Sequence, residues 1–452
     1  MIIQIRLHPY HSYLAALVAC TILSGWDSCA LAATTKQSTP THDTSRPAVK
    51  QSPRGETVLV HAQRQANWVV TPISSRTIAN YAPGTNALKA LTTLPGVIYN
   101  SADPQGLNLW GQSFLMHGFD QTQIGFTLDG VPLGSQLWNN NNGLNSAVAI
   151  SSENIERIDV SASAGSEGAA SISNLGGTVQ FVSRDPSHKT GARIVQTFGS
   201  NAMFHTFVRG DSGDLNRTGT RFYVSYARND TSKWRGGQDQ FEQQVNAKLV
   251  QPIGHESSIS AFFDWADQVM QNYQDYNLNM FRHGGYGIDN LEGTPNGYEV
   301  AYRLALAANG RPGGAVPAAY QRLTSPYTAS FFDGAGNQQQ YFGNIHADLA
   351  LTDNLRWNTT AYGHSSYQIG TVTSPLLSST TGAPFVEQAT IPSTQRFGIL
   401  SSLSYSIAGN EINGGIWYEN TKFDADKRAY DEPLLADVLN GTARPVDGMH
   451  LT

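Results

Sequence analysis

The chain has 452 residues, enough for two or three ordinary domains, and a formal net charge of −6. A chain without a basic excess carries no electrostatic footprint for nucleic acid, so nucleic acid is not an expected partner. Charged residues make up 14% of the chain, below the roughly 25% usual in soluble domains. Together with 43 glycines and 19 tyrosines, this composition favours an all-β protein in which half of each strand faces lipid.

The first 32 residues have the pattern of a secretory signal peptide. Arg6 gives the positive start, Leu14 to Leu23 the apolar stretch, and Ala30 to Ala32 a cleavage site of small residues. A membrane anchor is the alternative, but it needs about 20 apolar residues, and Gly25 to Asp27 interrupt the stretch too early. Leu17 to Cys20 also resembles a lipidation site, which remains open.

The distribution of reactive residues argues against an enzyme or a metal protein. Both cysteines, Cys20 and Cys29, lie in the predicted signal peptide, so the mature chain has no thiol for catalysis, disulfides or metal binding. His283 and His364 are isolated from other ligand residues, which predicts no metal site. The serine-containing segment 151–171 has no Gly-x-Ser-x-Gly motif. We expect no enzymatic activity and no cofactor.

Two regions precede the long strands. Residues 33–55 are rich in Thr, Ser and Pro and cannot bury a core, so they predict a flexible arm. The region 67–187 predicts a compact mixed domain. In it, Leu88, Leu91 and Leu94 share one face of a helix that Pro95 ends. Short strands are expected at Ile124 to Leu128, Ile155 to Val160 and Val179 to Val182.

From about residue 188 the sequence alternates with period two, as in Phe222, Val224 and Tyr226. The alternation predicts strands near residues 191–198, 202–211, 219–229, 240–251, 257–268, 339–351, 355–366, 396–407 and 411–423. After the first hairpin, short and long connectors alternate strictly. Outer-membrane barrels have this parity because their periplasmic turns are short and their extracellular loops long. A soluble sandwich also has alternating strands, but it has little reason to place every long loop at one end.

Six segments in order resemble those of TonB-dependent outer-membrane receptors of the siderophore-receptor type. They are a TonB-box-like segment at 56–60, then Leu94 to Val97, Leu115 to Asp120, Leu128 to Leu133, Ile155 to Val160 and Leu175 to Val179. The chain departs from the family at His117, where an arginine is usual, and at Ser161 to Ala164, where a turn motif is missing. The role of His117 cannot be told from the sequence.

The resemblance implies an N-terminal mixed α+β plug domain inside an antiparallel transmembrane β-barrel. It divides the chain into a signal peptide (1–32), a periplasmic arm (33–55), the TonB box and plug (56–187) and a partial barrel (188–452). The protein would lie in the lipid of the Gram-negative outer membrane and take up a bulky ligand, most favourably a ferric siderophore. Cobalamin, haem and oligosaccharide remain alternatives.

The resemblance also implies TonB, with its inner-membrane energising complex, as a partner. The residues expected to pair with TonB are Glu56, Thr57, Val58, Leu59 and Val60. A β-prone segment after a flexible arm suits edge-to-edge strand pairing. The alternative is that Thr57 to Val60 form the first strand of the plug.

Aromatic and amide residues in predicted loops are the candidates for ligand contact. They are Trp110, Phe114, Trp138, Asn139 and Asn140 in the plug, and Tyr273, Tyr276 and Tyr286 in the long connector 269–338. Rings and amides suit an aromatic chelator or a sugar ring, through stacking and hydrogen bonds. For residues near strand ends, an interfacial aromatic girdle is the alternative.

The predicted strand number is odd, and a single-chain barrel of this type needs an even number. We therefore expect an incomplete barrel of about nine strands, with residues 424–452 starting another loop. The alternatives left open are a partial record of a longer receptor, a truncated frame without transport activity, one half of a split protein, and a secreted β-rich adhesin.

Overall fold

The computed structural model describes residues 70–138, 143–162, 169–314, 318–321, 329–407 and 409–448. All of them belong to one compact unit, Gln65–Thr452. The predicted signal peptide, the arm, the segment 56–60 and the residues Asn139 and Asn140 lie outside the described residues. Within the described ranges, no helix combines the length and the apolar character needed to cross a membrane.

The plug is a small mixed domain built on two sheets. Its strands are β1 (Val70–Ser74), β2 (Val97–Asn100), β3 (Ser113–Met116), β4 (Phe119–Asp120), β5 (Gly125–Leu128), β6 (Val131–Pro132), β7 (Ile155–Ser161) and β8 (Thr178–Ser183). One sheet has the order β1-β7-β8-β5-β6, with β5 parallel to β8, and the other has the order β2-β3-β4. Helix α1 (Ser75–Ile78) follows β1, and short 3-10 helices cover Ala87–Thr93, Ser146–Val148 and Ser152–Asn154.

The predicted leucine helix is a 3-10 helix, Ala87–Thr93. In this geometry residues three apart eclipse one another, and Leu88 and Leu91 are accordingly both fully buried. Leu94 caps the helix in an extended conformation, because a following proline disfavours the helical region. The position of the helix was therefore predicted correctly, but its type and the place of Leu94 were not.

His117 occupies a tight turn rather than an ion-pairing position. His117 and Gly118 both have positive φ, 51° and 85°, and they join β3 to β4 as a two-residue hairpin turn of the kind that suits strand twist. The backbone N–H of His117 donates to the carbonyl of Gly96 at 2.8 Å, while its side chain is exposed. This position therefore requires a residue that tolerates positive φ, and it does not require a side chain that forms ion pairs.

Nine antiparallel strands follow, each paired with its neighbours in chain order. They are β9 (Thr190–Phe198), β10 (Phe204–Ser212), β11 (Arg221–Ser232), β12 (Asp239–Ile253), β13 (Ser257–Gln271), β14 (Gly334–Thr352), β15 (Leu355–Ser374), β16 (Val386–Ile407) and β17 (Asn410–Asp431). The predicted fold class, a partial antiparallel barrel with a mixed plug, is confirmed. The predicted bounds of β14 to β17 are too short at one end, where the strands continue without apolar alternation.

The sheet has one polar-lined face against the plug and one apolar outer face. In β11, Phe222, Val224 and Tyr226 are 39%, 49% and 36% exposed, whereas Tyr223 and Ser225 are buried. Connectors 213–220, 254–256, 353–354 and 408–409 lie at one end of the sheet, and connectors 199–203, 233–238, 272–333 and 375–385 at the other. We call these the short-turn end and the long-loop end. The two longest connectors, 272–333 and 375–385, lie at the long-loop end as predicted. The strict alternation is not observed, because 233–238, predicted to be long, is shorter than 213–220, predicted to be short.

Polar contacts fasten the plug to the sheet. The amide of Asn154 donates to Ser225 Oγ at 2.7 Å and to Asn246 Oδ1 at 2.9 Å. Lys248 Nζ donates to Ser183 Oγ at 2.8 Å, and Arg396 Nη1 donates to the carbonyl of Pro132, also at 2.8 Å. A smaller apolar contact joins wall residues to the plug core, through Phe262, Ala266, Met270, Phe342 and Tyr362.

An ion-pairing contact between plug and sheet joins Glu153 in the plug to His205 in β10. His205 Nε2 lies 2.8 Å from Glu153 Oε1, with side-chain exposures of 1% and 6%. Gly84 N–H also donates to Glu153 Oε1, at 3.0 Å. Burial alone would raise the pKa of Glu153, but His205 and the backbone donors outweigh it and lower that pKa. The carboxylate is therefore charged and depends on its partner.

Three segments at the long-loop end fold together into a structure that we call the loop cap. They are the described parts of the connector 272–333, the connector 375–385, and residues 432–448 after β17. It contains helices α2 (Leu278–Gly284), α3 (Gly297–Ala308) and α4 (Leu435–Leu439). Its apolar core includes Met280, Leu291, Tyr298, Leu304 and Phe385. The long connector is thus a folded element, because it buries its own apolar side chains.

Buried Glu432 joins the three segments of the loop cap through its carboxyl group and its backbone N–H. Tyr298 OH donates to Glu432 Oε2 at 3.3 Å, and Val446 N–H donates to the same oxygen at 3.2 Å. The N–H of Glu432 donates to Ser379 Oγ at 2.7 Å. Burial raises the pKa of Glu432 from 4.5 to about 7, Asp333 adds to the increase, and the two donors oppose it.

Replacing His205 by alanine should destabilise the folded protein by about 3–5 kcal/mol, because the charge of Glu153 would stay buried without its partner. Denaturant unfolding in detergent measures the loss. The matched control is His188→Ala, which removes the exposed pair of His188 and Asp214 with side-chain exposures of 69% and 38%. We expect that variant to lose less than about 1 kcal/mol. Equal losses from both variants would contradict a special role for the buried pair.

The loop cap should be more stable at pH 5.5 than at pH 8. Because the folded pKa of Glu432 lies above its unfolded value, the neutral carboxyl contributes stability at low pH, and this is lost as the pH rises through about 7. Limited proteolysis of the cap across this range measures the effect. Glu432→Gln should remove most of the pH dependence, whereas Asp437→Asn, an exposed change in α4, should keep it. Unchanged pH dependence in the Glu432 variant would assign it to another group.

Candidate functional site

A buried carboxylate shapes the plug loop at the long-loop end. The side chain of Asp103 is 3% exposed and accepts backbone hydrogen bonds of 2.7–3.0 Å from four N–H groups, those of residues 105–108. The loop is also fastened to β13, since Gln268 Nε2 donates to the carbonyl of Leu107 at 2.8 Å. Asn108 Nδ2 in turn donates to the carbonyl of Gln271 at 3.0 Å. The following residues are therefore presented from a fixed base.

Two tryptophans form the apex of the plug. Trp110 is 56% exposed, and its ring meets that of Trp138 edge to face, with centroids 5.2 Å apart at 64°. Trp138 is half-buried, and its Nε1 is buried without a hydrogen-bond partner in the described part of the chain. We call this pair the apical platform. It offers an exposed ring of the kind that stacks on flat ligands.

An open depression of about 410 Å³ lies between plug residues 99–104 and the loop after β11. It is lined by Lys89, Tyr99, Asn100, Ser101, Ala102, Asp103, Pro104 and Trp234. The ring of Trp234 is fixed by a 2.7 Å hydrogen bond from its Nε1 to the carbonyl of Ala102, and Lys89 Nζ donates to the carbonyl of Pro104 at 3.0 Å. Burial, reinforced by Asp103, raises the pKa of Tyr99, so this wall carries a neutral phenol.

A cationic and aromatic cluster supports Trp234 from behind. The guanidinium carbon of Arg235 lies 5.4–5.6 Å from the ring centroids of Trp234, Tyr273, Tyr276 and Phe281. Such contacts are worth more when the cation is shielded from water, and Arg235 is buried. Next to it, Lys233 forms a fully buried ion pair of 2.7 Å with Asp289. Burial lowers the pKa of Lys233, while Asp289 opposes the decrease.

The predicted ligand residues separate into three groups. Trp110 and Trp138 lie together at the plug apex. Tyr273 is 6% exposed and the hydroxyl of Tyr276 donates to the carbonyl of Asp289 at 3.0 Å, so both belong to the cluster behind Trp234. Tyr286 is 83% exposed and its ring stacks on Phe281, with centroids 6.3 Å apart. Asn139 and Asn140 are outside the described residues.

The prediction that Phe114 contacts ligand is not supported by its place in the fold. Its side chain is 1% exposed and packs edge to face on Phe126, with centroids 5.7 Å apart. Phe114 lies in β3, where Phe114 and Met116 face the plug core and Ser113 and Leu115 do not. The segment looked loop-like because this strand has only four residues.

Trp234, Tyr99 and Lys89 line the depression but were not predicted. The parity of connectors could have found Trp234, because it places the loop after β11 at the same end as the long connector. Tyr99 and Lys89 carry no such signal, since their positions follow from the packing of the plug. Among the described residues, no three His, Cys, Asp or Glu side chains form a group suited to a metal ion.

Comparison with known proteins gives a family and a fold. Residues 62–178 match the family described as the TonB-dependent Receptor Plug Domain, and no curated protein matches the chain. The fold is similar to that of the ferric-catecholate import receptor Fiu from E. coli K12 in its open form. The sequences are 14% identical, the TM-score is 0.53, and the match covers 79% of this chain and 50% of that one.

Two further solved structures show the same similarity. The siderophore receptor PiuA from Acinetobacter baumannii has 14% identity and a TM-score of 0.51, over 80% of this chain and 46% of that one. The unliganded ferric citrate transporter FecA has 13% identity and a TM-score of 0.58, over 81% of this chain and 49% of that one. The chain thus spans about half the length of the structures that it matches.

The family match covers the plug, and the solved structures agree with it in fold. Both features occur in the expected order along the chain, with the plug before the strands. The chain therefore carries a plug domain of the TonB-dependent receptor type, followed by nine antiparallel strands that form a partial barrel.

Proposed function

We propose that this receptor takes up a bulky, scarce ligand across the outer membrane in a TonB-dependent manner, and that the ligand is a ferric siderophore. The observation that carries the proposal is the pair of exposed indole rings at the long-loop end, Trp110 of the apical platform and Trp234 of the depression. Both belong to a region where polar contacts hold the plug in the sheet. Transport rather than catalysis is the proposed activity. The matched structures carry names of iron-chelate receptors, which supports the ligand class without fixing it.

The plug interface suits a domain that must change its contacts. Hydrogen bonds and ion pairs of the lumen wall can be exchanged for water when the plug rearranges, at a lower net cost than exposing an apolar interface of the same area. The plug is also rich in short strands and turns, which open locally more easily than long ones. These properties support a path for the ligand that opens when the plug rearranges beside the polar face of the sheet.

We also propose that Glu56 to Val60 bind TonB. The proposed domain boundaries are a signal peptide (1–32), an arm (33–55), the TonB box and plug (56–187) and a partial barrel (188–452). The segment suits strand addition, in which backbone hydrogen bonds supply the affinity.

Val58→Pro should abolish uptake of a ferric catecholate probe by cells while its binding at the surface is retained, because proline removes a backbone donor and blocks strand pairing. Uptake and binding of radioactive iron, given as the 2,3-dihydroxybenzoate complex, measure the two steps separately. Val58→Ala keeps the backbone donor and should retain uptake. Normal uptake by the proline variant would remove this segment as the TonB contact.

Trp110→Ala should weaken binding of the same probe about tenfold, the effect of losing one stacking contact of about 1.4 kcal/mol. Binding to the purified protein is measured by titration. The control, Trp357→Ala, removes a partly exposed tryptophan from β15 near the short-turn end and should leave affinity unchanged. An unaltered affinity in the Trp110 variant would place the ligand elsewhere.

A further inference from the structure

Gly370 in β15 forms a notch in the sheet where the plug apex touches it. A Cβ atom placed on Gly370 would lie 2.3 Å from Cη2 and 2.6 Å from Cζ2 of Trp138. The backbone itself does not demand glycine, because Gly370 is absent from the positions with positive φ. Glycine weakens the interior of a strand and marks places where another group approaches closely. Here that group is the benzene ring of the Trp138 indole.

The neighbouring strand adds no side chain of its own at the notch. Gly370 is paired across the sheet with Gly336 of β14. The space over Gly336 is taken by Met270 of β13, whose Cε would lie 3.0 Å from a Cβ atom there. The Trp138 indole over Gly370 and the Met270 thioether over Gly336 therefore fill space that two larger residues would occupy.

The contact of Trp138 with Gly370 determines the position of the Trp110 ring. The two rings meet edge to face, an arrangement that fixes one ring relative to the other. Trp110 follows the loop that Asp103 shapes through hydrogen bonds from the N–H groups of Gly106 and Asn108. A displacement of Trp138 would therefore tilt or release the exposed ring without disturbing the loop beneath it.

We propose that Gly370 is the positioning residue of the apical platform: its notch seats Trp138 so that Trp110 is presented to a ring-bearing ligand. The inference rests on the proposed function, and it adds a class preference. Ligands with flat rings gain from the ordered platform by stacking, whereas a chelate without rings does not. Gly370 itself touches no ligand.

Gly370→Ala is the direct test, and Gly363→Ala is its matched control in the same strand. A Cβ on Gly363 would meet its nearest atom at 3.9 Å, an ordinary contact. The double variant Gly370→Ala with Trp138→Phe is the rescue, because phenylalanine lacks the outer part of the indole that meets the new methyl group. The purified chain is labelled with 5-fluorotryptophan, and fluorine resonances are assigned by single replacements of Trp110 and Trp138.

We expect Gly370→Ala to shift the resonances of Trp138 and Trp110, and Gly363→Ala to shift neither. Affinity for the ferric 2,3-dihydroxybenzoate complex should fall about tenfold in Gly370→Ala, which corresponds to the loss of one aromatic contact. Affinity for ferric citrate, which has no aromatic ring, should be unchanged. The double variant should recover most of the affinity for the catecholate complex.

Two results would overturn the inference. One is an absence of fluorine shifts in Gly370→Ala, which would show that Gly370 does not position Trp138. The other is an equal loss of affinity for both probes, which would indicate a general disturbance of the plug. If the fluorine shifts occur but neither probe binds to the unaltered chain, the seat is only a packing feature, and the proposed ligand class fails with the platform.

Discussion

The plug is held by the polar lumen face of the sheet, and the rest of the structure depends on this contact. A purely apolar interface would fix the plug more strongly but would be costly to open. Here amides, a lysine, arginines and the Glu153–His205 pair carry the attachment. Exchanging a hydrogen bond to protein for one to water changes the free energy of such a group only slightly. Leaving the same group buried without a partner costs its full desolvation free energy. The interface therefore fixes one position of the plug in the sheet, and its hydrogen-bonding groups can still exchange protein partners for water.

The position of the proposed ligand site follows from the same attachment. Gln268 on the wall holds the loop that Asp103 shapes, and the ring of Trp234 reaches from the wall to the plug carbonyl of Ala102. The depression is thus lined by groups of both parts, and any movement of the plug changes its shape. This is the geometry that a coupled receptor needs, because ligand contacts and plug position then bias one another.

The sequence predicts the strands far better than the plug interior. Alternation found all nine strands because one face of each meets lipid, as Phe222 and Val224 do in β11. The alternation did not predict the ends of β14 to β17 nearest the long loops, because residues beyond the lipid need no apolar face. In the plug, β3 has four residues, too few for a period to be visible, so Phe114 was placed in a loop. Trp110 and Trp138 were found from their residue type, but their mutual contact depends on long-range packing that no local pattern encodes.

Glycines on the lumen face illustrate where that limit lies. A Cβ on Gly398 of β16 would lie 2.4 Å from the Tyr362 hydroxyl on β15, and strand register makes the two residues direct neighbours. A pairing of this kind is predictable once register is known, since a large ring commonly covers a glycine on the adjacent strand. Gly370 receives its ring from the plug, more than 200 residues earlier in the chain, and register says nothing about it. The two glycines look alike in sequence, yet only Gly370 connects the barrel wall to the plug and its proposed ligand site, because the plug packs against it.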